Sequence, residues 1–339
     1  MTKKLLSGDD DFDLFLVSDM ERIYNLMESS YLLPLDKLGT GVTSLYDGML
    51  PGVKELCSAE GRIVFVPLAM QFEGLSVSTE VMQALDLQPG DFPRTADEFI
   101  TFVNEQSAAI ADTEYGLFSF IGARTLENGL MKQYTAEYFE NENGTDAAWD
   151  AMTRLLDVAD AHSKPLDEEG FHIWRYLIMP GDMTFVGNHK THKYYSIPCP
   201  LLTESSKNCL SQAMLIGVNP NSRDLDTVVA FLECLLSESY FNYVAKKMAT
   251  IMPEEQLKSM TGQDYWPDYN SVRWGIYELP GIDPAQYPFH NVYKEMLQNA
   301  AHIYPDQLSD LNTPFFQGEI TTEEWRTRID RELEFLRDE

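Results

Sequence analysis

The stretch LSQAMLIGVNPNSRDLDTVVAFLECLLSESY, Leu210–Tyr240, restricts the fold of this chain more than any other. An apolar run, Ala213–Val218, gives way to a turn at Asn219–Ser222. A helix then opens at Asp224 with Val228, Val229, Leu232, Leu235 and Leu236 directed inward. Apolar strand, polar loop and amphipathic helix make one βα unit, the building block of α/β folds. The same order occurs at the start of the chain. There Phe12–Val17 ends on Ser18-Asp19 and a helix, Glu21–Ser30, follows. A third buried strand, Gly61–Met70, is closed by Pro67 and runs into Gln71-Phe72-Glu73-Gly74. These units predict strands of a parallel sheet, with polar loops at their carboxyl ends, where open α/β sheets bind ligands.

Between them, Thr95 with Glu98 three residues on predicts a capping box and a helix from Ala96. Tyr115–Phe120 is a short apolar run ended by Gly122, and Asn141–Gly144 is a loop. Asp146–His162 is helical, with Trp149, Met152, Leu155, Leu156 and Ala159 on one face. After Pro180-Gly181-Asp182, MTFVG reads as a strand, NHKTHK as a basic loop and YYSIPCP as a second strand. From Pro253 the chain is helical and loop-rich, with an aromatic stretch and a last helix capped at Thr321 or Thr322 with Glu324. With 339 residues the chain exceeds the usual size of one core, so two domains are expected. Two α/β lobes, with a chain crossing between them more than once, explain why the βα units are scattered.

A net charge of −29 repels nucleic acid and anionic membrane surfaces, and both are set aside as partners. No apolar run approaches the ~20 residues of a membrane helix. The four cysteines, Cys57, Cys199, Cys209 and Cys234, contain no CxxC pair. Three of them lie in apolar or strand-like contexts and read as small core residues. A Cys199–Cys209 bridge is one open pairing, and cysteine usage does not fix the compartment. There is no GxSxG, HExxH, Walker or GxGxxG motif, and DDDFD lacks the glycine and terminal glutamate of a calcium loop.

In serial order, KLLSGDDDFDLFLVSD, YLLPLDKL, EGRIVFVPLAMQFEGLSVSTEVMQALDLQPGDFPRTADEF, GDMTFVG, YYSIPCPLL, LSQAMLIGVNPNSRDLDTVVAFLECLLS and GEITTEEWRTRIDRELE resemble the solute-binding proteins of bacterial ABC importers. The group is the carbohydrate receptors that include maltose-binding protein. The resemblance runs through essentially the whole chain on several weak motifs. It implies a two-lobed periplasmic-binding-protein-like (type II) α/β fold, with a hinge and a ligand cleft. The first lobe would comprise 1–104 plus 213–249, the second 105–212 plus 250–339. Family members begin with a secretion signal, often a lipidated cysteine, then a strand and a long helix. By that resemblance Phe12–Val17 is the second strand of its lobe, Thr2–Ser7 is the tail of the first helix, and the lobe is incomplete.

Ser18 and Asp19 stand where the family commonly contacts ligand, although capping the next helix would explain them equally well. Gln71, Phe72 and Glu73 occupy another family contact region; the chain departs just after it, with LSVSTEV where the family often has Tyr-Tyr-Asn-Lys-Asp. Arg124 and Thr125 sit where the second lobe offers a side chain. Asn188, His189, Lys190 and His192 follow the MTFVG strand, and two histidines three apart make a weak metal signal. Trp266, Trp274, Phe289, His290 and Tyr293 come from the region that covers the cleft, and core packing competes with sugar stacking for each. The function implied is non-covalent capture of a sugar or oligosaccharide by a monomeric receptor at the cell envelope. It would deliver its solute to ABC permease subunits, with no catalytic residue, cofactor or metal. The rivals are a non-transporting sensor or decayed paralogue, and a glycan-acting enzyme.

Overall fold

The computed structural model describes residues 2–29, 31–39, 42, 49–141, 145–164, 175–183, 194–235, 295–304 and 308–338. In chain order its elements are α1 (Thr2–Leu6), β1 (Leu14–Val17), α2 (Met20–Glu28), α3 (Pro51–Leu56), β2 (Ser58–Ala59), β3 (Arg62–Ile63) and β4 (Phe65–Ser78). There follow α4 (Thr79–Ala84), α5 (Ala96–Ile110), β5 (Gly116–Ser119), α6 (Phe120–Glu140), α7 (Asp146–Ala161), β6 (Ser163–Lys164), β7 (Tyr176–Met183) and β8 (Tyr194–Pro198). The last are β9 (Leu210–Val218), α8 (Leu225–Leu235), α9 (Ser309–Phe316) and α10 (Thr322–Asp338). The expected α/β class holds.

The chain folds as two compact units. The described residues of Met1–Phe72 and Leu210–Ala300 form the first; those of Glu73–Met183, Lys193–Cys209 and Ala301–Glu339 form the second. The division therefore falls inside β4 and just before β9, so 73–104 lie in the second unit rather than the expected first lobe.

In the first unit β9 lies between β1 and β4 and runs antiparallel to both, with Leu16 opposite Ile216 and Val66 opposite the same residue. The parallel neighbours expected for these strands are thus replaced by an antiparallel one. Phe15 and Val17 are buried on one face of β1, while Leu16 on the other is 56% exposed. A Cβ on Gly217 would lie 2.3 Å from the ring of Phe15, so only glycine lets β9 close on β1 there. The acidic turn before β1 is held from the far side: Asn219 Nδ2 donates to the carbonyls of Asp9 (2.8 Å) and Phe12 (2.7 Å). Ser222 Oγ donates to Asp13 (2.6 Å). α2 begins at Asp19, whose carboxylate accepts from the Arg22 amide, and buries Ile23 and Leu26.

β4 does not stop at Met70. Its register with β9 shifts between Pro67 and Ala69, where proline has no amide to offer the ladder. It then continues past Gln71 and pairs with β8 from Gly74 to Ser78. The polar residues that suggested a loop are accommodated because the buried Glu73 has a half-buried cation, Lys132, 2.8 Å away.

The second unit carries the parallel strands: β5 pairs with β6 and with β7. β7 includes Pro180, Gly181 and Asp182, and of the expected MTFVG strand only Met183 is among the described residues. α7 buries Trp149, Met152, Leu155, Leu156 and Ala159 as its periodicity predicts. Thr95 precedes α5 as expected, but its hydroxyl bonds the Glu98 carboxylate (2.9 Å) and gives no side-chain cap. α10 has the full capping box, with the Thr321 amide on Glu324 (2.9 Å) and the Glu324 amide on Thr321 (3.2 Å). Trp325, fully buried, stacks on Phe315 and donates to Asn312.

Candidate functional site

Strand carboxyl ends locate the candidate site in each unit. In the first, Ser18 and Asp19 follow β1 and are exposed; Asp19 caps α2. Beyond them on the sheet, Gln71 of β4 faces Gln212 of β9, half-buried and exposed respectively. By strand alternation they share the face of exposed Leu16. Amide side chains such as these can hydrogen-bond a neutral polar solute. Phe72 is different: it is fully buried in β4 and forms core rather than rim.

In the second unit β5 ends at Ser119, whose buried hydroxyl accepts from the Gly122 amide and starts α6. The first two helical residues, Phe120 and Ile121, are 50% and 43% exposed. Apolar side chains at that place form an unburied platform where a polar helix start is usual. The Arg124 guanidinium lies 5.2 Å from the centre of the Phe120 ring, leaving an aromatic face and a cation side by side. Thr125 spends its hydroxyl on the Ile121 carbonyl (3.0 Å).

Further along α6 the polar groups turn structural. Arg124 donates to the buried Glu127 at 2.7 Å. Burial pushes the Glu127 carboxyl above its ordinary value, and the bonds from Arg124 and Asn312 only partly hold it down. A raised acid contributes stability below its unfolded pKa and loses it as pH rises through the folded one. Glu127→Gln is therefore expected to gain in melting temperature relative to the parent between pH 4 and pH 7. A constant difference across that range would contradict it.

Glu73 is buried beside Lys132, and a Cβ on Gly129 would touch both the Cys199 sulfur (2.8 Å) and the Glu73 Cβ (3.4 Å). Glu73 thus belongs to the packing of α6 on β4, not to a rim. Gln133 fixes the Pro200 carbonyl and the Leu202 amide, both at 3.0 Å. Glu137 accepts from Thr203, Ser205, Ser206 and Asn141. Burial alone would raise its carboxyl, but these four donors outweigh it and hold the value below the usual range.

Of the residues the sequence singled out, Ser18 and Asp19 follow β1, Gln71 lies on β4 opposite Gln212, Arg124 and Thr125 are in the first turns of α6, and Phe72 and Glu73 are interior. Asn188, His189, Lys190, His192, Trp266, Trp274, Phe289, His290 and Tyr293 lie outside the described residues. Gln212, Phe120 and Ile121 were not singled out as contacts. The visible signal was a Ser-Phe-Ile-Gly start to a helix directly after a strand. Asp9, Asp10 and Asp11 bring carboxylates within 4.8 Å of one another, but Lys4 pairs with Asp9 and Arg223 with Asp10, as in a charged turn. No described helix is long and apolar enough to cross a membrane.

The chain has the fold of solute-binding proteins of ABC transporters. It is similar to the cyclic alpha-maltosyl-1,6-maltose binding protein from Arthrobacter globiformis, with a TM-score of 0.62 at 15% identity, over 99% of this chain and 87% of that one. Maltose-bound T. maritima MalE3 gives 0.62 at 16%, with the same coverage. An ABC transporter solute-binding protein from Agrobacterium radiobacter K84, in complex with ribitol, gives 0.61 at 12%, again over 99% and 87%. No protein-family model matches the chain, and no curated protein does.

Proposed function

We propose that this chain is the solute receptor of an ABC import system and that its solute is a sugar or oligosaccharide. The observation that carries the reading is the fold it shares, over nearly its whole length, with proteins named for sugars and polyols. The rims add chemical sense. Ser18, Gln71 and Gln212 offer neutral donors and acceptors, and Phe120 with Ile121 offers a flat apolar surface for the C–H face of a sugar ring. Binding shifts a conformational equilibrium rather than breaking a bond. The receptor works as a monomer at the outer face of the cell envelope, held by a lipid anchor or within a periplasm, and hands its solute to permease subunits. Asn188, His189, Lys190, Trp266, Trp274, His290 and Tyr293 are proposed as further contacts, and Arg124 as the cation of the Phe120 platform.

The test is a thermal-shift screen against sugars, oligosaccharides, amino acids and short peptides. A saccharide present at a hundred times its Kd stabilises by about 2.7 kcal/mol. A rise with amino acids or peptides alone, or turnover of a labelled oligosaccharide, would overturn the reading. With the responding saccharide, Phe120→Ala is expected to weaken binding about tenfold, the worth of one aromatic contact, while the unliganded melting temperature changes little. Unchanged affinity in calorimetry would remove Phe120 from the site.

A further inference from the structure

Cys199 and Cys209 stand at the two ends of the segment 200–208, and both meet the same residue of β4. The Glu73 amide donates to the Cys209 carbonyl at 2.8 Å, and the Cys199 amide donates to the Glu73 carbonyl at 3.4 Å. In an ordinary antiparallel ladder, one residue makes both of these bonds. Here the place opposite Glu73 is shared, with β8 arriving at Cys199 and β9 leaving from Cys209. The nine residues between form an excursion whose neck is the two cysteines. Two residues that bond the amide and the carbonyl of one ladder partner are held close together, and a disulfide spans Cα separations of about 4.4–6.8 Å.

Both side chains are buried and both pack against α6. The Cys199 sulfur lies against Gly129, and Cys209 clusters with Ala136 and Ala301. Gly129 and Ala136 are two turns apart on one face of the helix, so the two side chains lean toward different turns. Bonding needs the two side chains to turn toward each other at the neck. Neither cysteine is disulfide-bonded in the structure. Of the other two cysteines, Cys57 is buried in the first unit at the end of α3, and Cys234 is exposed on α8.

We propose that Cys199 and Cys209 are a dithiol–disulfide pair that closes the neck of the 200–208 excursion on meeting an oxidising disulfide. One cysteine attacks a sulfur of the oxidant's S–S bond and expels one thiol. The second cysteine attacks the resulting mixed disulfide, forms the Sγ–Sγ bond and expels the other thiol. The protein dithiol is oxidised, the small disulfide is reduced, and the two protons leave on its two thiols. The chain passes from one unit to the other at Phe72–Glu73 and at Cys209–Leu210, next to this neck. The proposal does not depend on the identity of any solute.

The test is refolding of the full chain in oxidised and reduced glutathione, which bypasses the burial of the native thiols, with native circular dichroism as the check on folding. Thiols are then counted by alkylation under denaturing conditions, with peptide mapping. The expected result is loss of two of the four thiols, a Cys199–Cys209 cross-linked peptide, and a melting temperature that falls when dithiothreitol is added. Cys199→Ser and Cys209→Ser should each abolish the loss. Four alkylated thiols in protein refolded at an oxidising ratio, or a link to Cys57 or Cys234 instead, would overturn the pairing.

Discussion

Lys132→Met is expected to destabilise the protein by about 3 kcal/mol in urea denaturation, because it leaves the Glu73 carboxylate buried without its cation. The side chains are 8% and 17% exposed, and they sit 2.8 Å apart under the packing of α6 on β4. Lysine retains some access to water, so the cost belongs at the low end of the range for broken buried pairs. The double variant Glu73→Leu/Lys132→Met should recover most of the loss, since it removes the charge that needed a partner. A single variant as stable as the parent would show that the pair is solvated. A double variant no better than the single would show that Glu73 carries another obligation there.

Glu137→Gln gives the second large effect, and its pH dependence has the opposite sign to that at Glu127. Three hydroxyls and an amide converge on this carboxylate: Thr203 at 2.8 Å, Ser206 at 2.7 Å, and Ser205 and Asn141 at 3.2 Å. A neutral amide accepts more weakly than a carboxylate and turns two N–H groups toward donors. About 2–3 kcal/mol should be lost at pH 7, the worth of one or two charge-assisted bonds. A carboxyl held below its ordinary value stabilises the fold above the unfolded pKa, and that contribution disappears as pH falls through the folded one. The penalty of the variant should therefore shrink in acid, as read from melting temperatures between pH 7 and pH 3. A penalty independent of pH would mean that shape, not charge, holds the 203–206 turn.

These two side chains also explain why parts of the fold could not be read in advance. α7 was legible because its apolar residues lie on one stripe, and β1 because a short apolar run ends on a polar pair and a helix follows. α6 lacks such a stripe: Glu127, Gln133, Thr135 and Glu137 are buried among its apolar positions, so the helical period is hidden. β4 seemed to end where its sequence turns polar, since no local signal reveals a lysine placed about sixty residues later to receive Glu73. Asp19 could be read as a cap, and it is one. The Phe120–Ile121 platform escaped notice because two apolar residues after a strand look like more strand. Antiparallel pairing of β9 was invisible for a different reason: a βα unit has the same local pattern whichever way its strand runs in the sheet.

That placement of β9 has a consequence for how the chain is made. β1 and β4 are finished early in synthesis, yet neither pairs with the other in the completed sheet; the strand between them is encoded far downstream. A ribosome-bound fragment ending before Leu210 carries two apolar strands lacking their common neighbour, which is the state in which nascent sheets associate wrongly. The amino-terminal part must wait for the later sequence, so its assembly is tied to completion of most of the polypeptide.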